Sequence, residues 1–171
     1  MRIVAGRWKG RALVSPAGPV RPTAEEVRDA WMKDLQDELE GIRVLELFAG
    51  SGALGIEALS RGARYADFVE NHPAALHALK ANIVALRLKD KARVFKQDAI
   101  AYMRRLPEGQ YDLVLADPPY GSEKANLVAE RWLEVPFGRV LCIEHAADHR
   151  LPRGGTSKRY GDAAVTTYRM Q

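Results

Sequence analysis

The sequence predicts an α/β fold: a doubly wound, mostly parallel sheet of seven strands with helices on both faces. Three observations carry this. Short apolar runs near 43–49, 65–70, 92–97, 111–116 and 139–144 alternate with helical patterns near 53–61, 73–87, 99–105 and 123–133. Such alternation builds a parallel sheet whose ligands sit at the carboxyl ends of the strands. Acids fall at or near four of those ends, at Glu46, Glu70, Asp98 and Asp117. The tail departs from the alternation, because Thr156–Tyr160 and Ala164–Arg169 flank Gly161-Asp162 as a hairpin does, with period-two patterning in Val165-Thr166-Thr167-Tyr168.

Taken in order, residues 2–14 read as a small hairpin around Lys9-Gly10, and Ser15 to Pro22 as a proline-rich connection. Thr23 then caps a helix with Glu26 as its capping-box partner, and Val27, Ala30, Trp31, Leu35 and Leu39 form one apolar stripe. That helix is expected to pack beside the ligand pocket. The division expected is a basic arm over residues 1–22 and a single main domain over 23–171.

The run Arg43-Val44-Leu45-Glu46-Leu47-Phe48-Ala49 leads into Gly50-Ser51-Gly52-Ala53-Leu54-Gly55 and a helix start at Ile56-Glu57-Ala58-Leu59. Strand, glycine turn and helix let a nucleotide-like ligand approach the backbone closely. The Gly-x-Gly-x-x-Gly spacing suits dinucleotide enzymes and methyltransferases alike. Glu46 separates them: an ionised carboxylate below the turn repels a pyrophosphate and attracts the cationic amino-acid end of S-adenosylmethionine. The bland alternative for Glu46 is a surface residue on an edge strand. Glu70, followed by Asn71-His72-Pro73, stands where a second strand meets its helix and can accept both hydroxyls of a ribose. Asp98-Ala99 offers a side chain and an amide to adenine, and Asp98 also suits a plain helix N-cap.

Asp117-Pro118-Pro119-Tyr120 closes the run Tyr111 to Ala116. Two prolines continue neither ladder nor helix, so the backbone is held in an extended turn whose carbonyls are expected to lack internal partners. Carboxylate, carbonyl and aromatic face together suit an amino-bearing nucleobase, which stacks on Tyr120 and donates its N–H bonds to Asp117 and a backbone oxygen. The alternative is loop punctuation with Tyr120 half buried in the core.

Length and composition fit one domain with a substantial core, without a repeat, a low-complexity tract or an apolar run long enough for a membrane span. A signal peptide is not evident, so a cytoplasmic protein is expected. The single Cys142 sits in the apolar run Val140-Leu141-Cys142-Ile143 and reads as a buried small hydrophobe. The four histidines have no thiol companions at metal spacing, and neither His72 nor His145 is given a role; no metal is expected. The net charge is +4, with five basic side chains and no acid in residues 1–21, and five against Asp162 in 150–171. The positive charge is therefore expected to concentrate in the two ends. Arg2, Arg7, Trp8, Lys9, Arg11 and Arg21 suit an arm that lies along phosphates and stacks on a base, the alternative being a solvated hairpin whose Trp8 packs on the main domain.

The run Glu46 to Gly55, the following Glu57-Ala58-Leu59-Ser60-Arg61-Gly62-Ala63, Arg21-Pro22-Thr23 and Asp117-Pro118-Pro119-Tyr120 together resemble the bacterial 16S ribosomal RNA guanine-N2 methyltransferases. The similarity also takes in the opening Arg2-Ile3-Val4-Ala5-Gly6 and the closing Arg159-Tyr160-Gly161-Asp162. The resemblance implies a Rossmann-like class I methyltransferase fold whose last strand enters the sheet antiparallel. It implies S-adenosylmethionine as cofactor, with Glu46, Gly50 and Gly52 at the methionine end, Glu70 at the ribose and Asp98 at the adenine; Phe48, Asn71, Ala99 and Asp117 complete the expected cofactor site. It further implies that Asp117, Pro118, Pro119 and Tyr120 hold the target guanine of 16S ribosomal RNA, free or within the small subunit, in a protein expected to be a monomer. A DNA adenine-N6 methyltransferase, a dinucleotide-dependent oxidoreductase and a noncatalytic RNA-binding assembly factor remain alternatives.

Overall fold

The computed structural model describes residues 1–16 and 25–171. Within these residues, seven strands and five helices follow one another as α1 (Glu25–Asp34), β1 (Arg43–Leu47), α2 (Ala53–Ser60), β2 (Tyr65–Val69), α3 (Pro73–Ala85), β3 (Ala92–Phe95), α4 (Ala99–Arg104), β4 (Tyr111–Ala116), α5 (Lys124–Glu134), β5 (Gly138–Ala146), β6 (Thr156–Tyr160) and β7 (Ala163–Arg169). The strands form one sheet in the order β3-β2-β1-β4-β5-β7-β6. β1 to β5 pair in parallel and β7 runs antiparallel against both β5 and β6, as expected of the tail hairpin.

Alternation along each central strand builds two cores. Val44, Phe68, Leu113, Leu115 and Cys142 face α1, α2 and α3, while Leu45, Leu47, Val114, Leu141 and Ile143 face α4 and α5. A strand covered on both faces reads as a continuous apolar run, which is why these segments were legible. The chain winds outward from β1 to β3 on one side and from β4 to β5 on the other, so the crevice between β1 and β4 is the switch point where ligands of such sheets bind.

Three sequence expectations need correction. The first helix does not run through to Leu39: α1 ends at Asp34, and Gln36–Glu38 form a separate 3₁₀ turn. Trp31, Leu35 and Leu39 are buried as expected, but Val27 and Ala30 are only half-buried, and Arg28 and Met32 take the buried positions. The Thr23 cap lies outside the described residues, as does Arg21. Second, the opening hairpin is a single bridge between Arg2 and Ala12 rather than two strands. Third, β5 extends two residues past the expected 139–144, through Ala146, so His145 as well as Glu144 is a buried strand residue.

The first residues are docked on α2. The Glu57 carboxylate accepts the Val4 amide at 2.8 Å, the Arg7 amide donates to the Ser60 carbonyl at 2.7 Å, and the Trp8 amide donates to the Ser60 hydroxyl at 3.0 Å. Arg28, fully buried, donates to the Arg2 carbonyl and lies 3.5 Å from Glu57. Ile3 and Leu13 enter the main core, and half-buried Trp8 packs against it. On the opposite face, buried Asp67 of β2 accepts the Tyr111 hydroxyl at 2.7 Å and two N–H bonds of Arg93 at 2.9 and 2.8 Å. The Tyr111 hydroxyl also meets that of Tyr102 at 2.9 Å, which ties α4 to the sheet.

Candidate active site

Phe48 stops β1 by taking a left-handed backbone, φ 55°, and Gly50 and Gly52 continue in that region at 58° and 83°. The chain thereby turns sharply at the carboxyl end of β1, and Gly52 becomes the N-cap of α2. A Cβ on Gly50 would meet nothing within 4 Å, whereas one on Gly52 would strike Leu79 at 2.5 Å. Gly50 thus faces open space and Gly52 faces packed core.

Glu46 lies on the third strand of the seven with only 2% of its surface exposed, which overturns the edge-strand alternative. Its carboxylate accepts the Gly55 amide at 2.8 Å. Burial pushes its pKa up to about 8, and the charges of Asp117 and Glu70 push the same way. Burial thus favours the protonated form over the ionised carboxylate expected from sequence. A nearby cation reverses that balance.

Glu70 closes the turn from the side. One oxygen accepts the Gly50 amide at 2.9 Å, and the other accepts the amides of Asn71 and His72, both at 2.9 Å. A carboxylate has about four acceptor sites, so three backbone bonds leave capacity for about one more. Asp98 is the N-cap of α4, accepting the Ala101 amide at 2.9 Å, and it is exposed beside buried Ala99. Both expectations for Asp98 are compatible with that geometry.

Asp117 follows Ala116, the last residue of β4, directly beside the strand that carries Glu46. Pro118 is buried, Pro119 is exposed and Tyr120 is 40% exposed. The Tyr120 hydroxyl donates to the His145 carbonyl at 3.4 Å. The turn's carbonyls are not all unpartnered, since that of Pro119 accepts the Ser122 hydroxyl at 2.7 Å. Lys124, at the start of α5, holds its ammonium 5.9 Å from the Phe48 ring centre and so bridges the glycine turn and the Asp117 loop.

Sequence reasoning missed Glu144. Ile143 faces Ala116 in the β4–β5 register, so Glu144 is the next residue along beside Asp117, and only 1% of it is exposed. An acid directly after the run Val140 to Ile143 was the available signal. His145 is satisfied, its Nδ1 donating to the Ala146 carbonyl at 2.9 Å and its Nε2 accepting from Thr166 at 2.7 Å. Burial lowers its pKa. Cys142 is fully buried against Thr167, and burial raises its thiol pKa.

The structure thus brings Glu46, Gly50, Glu70 and Asp117 to one rim. Of the arm, Arg7 and Trp8 dock away from that rim on Ser60, the last residue of α2, whereas Val14 is tied to the glycine turn through Asn82, whose amide donates to the carbonyls of Val14 and Ser51 at 3.0 and 2.9 Å. Among the described residues no helix is long and apolar enough to cross a membrane, and no group of His, Cys, Asp or Glu suits a metal ion.

This sheet order, with a glycine turn after β1 and acids at the strand ends, defines a Rossmann-like methyltransferase fold. The chain belongs to the family described as Conserved hypothetical protein 95, whose pattern matches residues 1–169. Ribosomal RNA small subunit methyltransferase D of Escherichia coli K12 is 35% identical over 158 residues, covering 89% of this chain and 78% of that protein. The protein of the same name from Haemophilus influenzae is 30% identical over 181 residues, covering 99% and 92%. A solved structure of a hypothetical protein from Thermus thermophilus superposes with a TM-score of 0.85 at 29% identity, with 99% of each chain covered.

Proposed function

We propose that this protein transfers a methyl group from S-adenosylmethionine to the exocyclic N2 of a guanine in 16S ribosomal RNA. The observation that carries the reading is the convergence of Glu46, Glu70 and Asp117 on open space in front of Gly50, at the switch point of a sheet whose relatives are named ribosomal RNA methyltransferases. The cofactor fits this chemistry, because Asp117 and Glu70 stand close enough to Glu46 to add to the effect of its burial, and such a cluster of acids favours a cationic ligand. When bound, S-adenosylmethionine supplies an electrophilic methyl group on a positively charged sulfur.

Each residue then has a task. Glu46 and the backbone at Gly50 and Gly52 hold the methionine end, with Phe48 against it. Glu70 and Asn71 hold the ribose, and Asp98 and the Ala99 amide hold the adenine. The Asp117 carboxylate and the Pro118 carbonyl accept the two N2 hydrogens, which favours a pyramidal nitrogen and stabilises the positive charge that grows there. Tyr120 and Pro119 stack on a base turned out of its helix or loop. Asp117 or solvent takes the departing proton. The work expected is mostly alignment and exclusion of water. The substrate is ribosomal RNA alone or in the small subunit, met by a monomer in the cytoplasm.

Asp117→Ala tests the assignment. Removing one such acceptor lowers methyl transfer by about 10²–10³-fold, with cofactor affinity changing far less. An equal loss of both in a folded variant contradicts the role.

A further inference from the structure

Positive charge gathers at the two ends of the chain, but the body between them is not uniformly acidic. Residues 71–97 hold six basic side chains against Asp90 alone, and α3 contains no acid. The helix buries Ala75, Leu76, Ala78, Leu79, Asn82 and Ile83, and exposes His77, Lys80 and Val84. Arg87, Lys89 and Lys91 stand exposed in the turn that follows. Among the described residues, Lys80, Arg87, Lys89 and Lys91 take part in no ion pair.

Two further observations link this surface to the rim and to the arm. α3 begins directly after Glu70-Asn71-His72, and its 13 residues run away from the rim for about 20 Å. At its far end Arg11 donates to the Ala85 carbonyl at 3.3 Å, which sets the cations of the arm against those of the turn. Arg87 also takes a left-handed backbone, φ 55°, just past the helix, where glycine is the cheaper residue. Attraction to the negative helix end accounts for Arg11 and Arg87. It accounts for neither Lys80 nor the pair Lys89 and Lys91.

We propose that the exposed face of α3 and the turn after it form a track for the phosphates of RNA, leading from the rim to the arm. Its charge carries no sequence information; it orients the strand so that one base reaches the Asp117 loop. Val84, 76% exposed among these cations, offers an apolar contact to a ribose or base. The inference rests on the ribosomal RNA reading above for the identity of the nucleic acid.

The test compares the wild-type chain with one carrying Lys80→Gln, Arg87→Gln, Lys89→Gln and Lys91→Gln. A control carries the same charge change at Lys33, Arg104, Arg105 and Arg159, which lie on α1, the end of α4 and β6. Binding to naked 16S ribosomal RNA is measured across salt concentrations, beside cofactor affinity and melting temperature. The track variant is expected to bind about tenfold or more weakly and to lose about 3 from the slope of log affinity against log salt, with cofactor affinity and melting unchanged. Binding by the track variant equal to wild type overturns the proposal, as does an equal loss in the control. If the track variant alone loses binding while wild type methylates no RNA, the track stands and the methyl-transfer reading falls.

Discussion

Glu46 accepts the amide of Gly55 at 2.8 Å, so the acid in the middle of the sheet and the third glycine of the turn are held as one unit. Burial pushes that acid's pKa up to about 8. A cationic ligand stabilises the ionised form, so binding below pH 8 releases a proton. Affinity for S-adenosylmethionine is expected to rise from pH 6 towards 8, by up to about tenfold per unit, and then to level off. Glu46→Gln keeps a group that can accept from Gly55 but is expected to bind weakly with a flat profile. Calorimetric titration at several pH values checks both.

The same group affects stability. Its folded pKa of about 8 lies above its ordinary 4.5. Its contribution is therefore fully present below about pH 4.5 and is lost as pH rises through 8. Without ligand, wild type is expected to melt lower at pH 8 than at pH 5 by several degrees more than Glu46→Gln does. Thermal melts of the two chains at both pH values read the difference.

Gly50 and Gly55 separate binding from folding. A Cβ on Gly55 would strike the Phe68 ring at 2.5 Å and approach the Glu46 carboxylate at 3.3 Å, so Gly55→Ala is expected to cost about 1–3 kcal/mol of stability. A Cβ on Gly50 meets no protein atom within 4 Å. Gly50→Ala carries only the strain of its left-handed backbone, about 1–2 kcal/mol, but fills the space proposed for the cofactor. Cofactor titration is expected to show a binding loss in Gly50→Ala beyond what its melting temperature explains.

Much of this architecture was legible because each central strand is apolar on both faces, so Val44 to Leu47 and Leu113 to Ala116 stand out from their surroundings. Glu46 was legible for the opposite reason, as an acid inside such a run, and Glu70, Asp98 and Asp117 as acids where such runs end. What escaped depends on partners distant in sequence. Arg28 looks like a solvated helix residue until Glu57 is seen beside it. The spacing Trp31, Leu35, Leu39 fits one helix, and periodicity does not register that the hydrogen bonding changes after Asp34. The raised pKa of Glu46 is likewise a property of its burial rather than of its neighbours in the chain.

The buried clasp at Glu57 gives a further expectation. Glu57→Ala removes the acceptor of the Val4 amide and leaves Arg28 buried without its carboxylate. Breaking a buried pair from one side costs about 3–5 kcal/mol. Hydrogen exchange is expected to speed up at the amides of Val4, Arg7 and Trp8. Unchanged protection there means that the bonds to Ser60 and the packing of Ile3 and Leu13 hold the arm without Glu57.

The central claim is tested most directly by transfer of labelled methyl from S-adenosylmethionine to small-subunit particles and to naked ribosomal RNA, both from a strain lacking this protein, with the modified nucleoside identified by mass. The account predicts N2-methylguanosine at one position of 16S ribosomal RNA. Cofactor binding without RNA methylation, or methyl transfer to a DNA adenine instead, would contradict it.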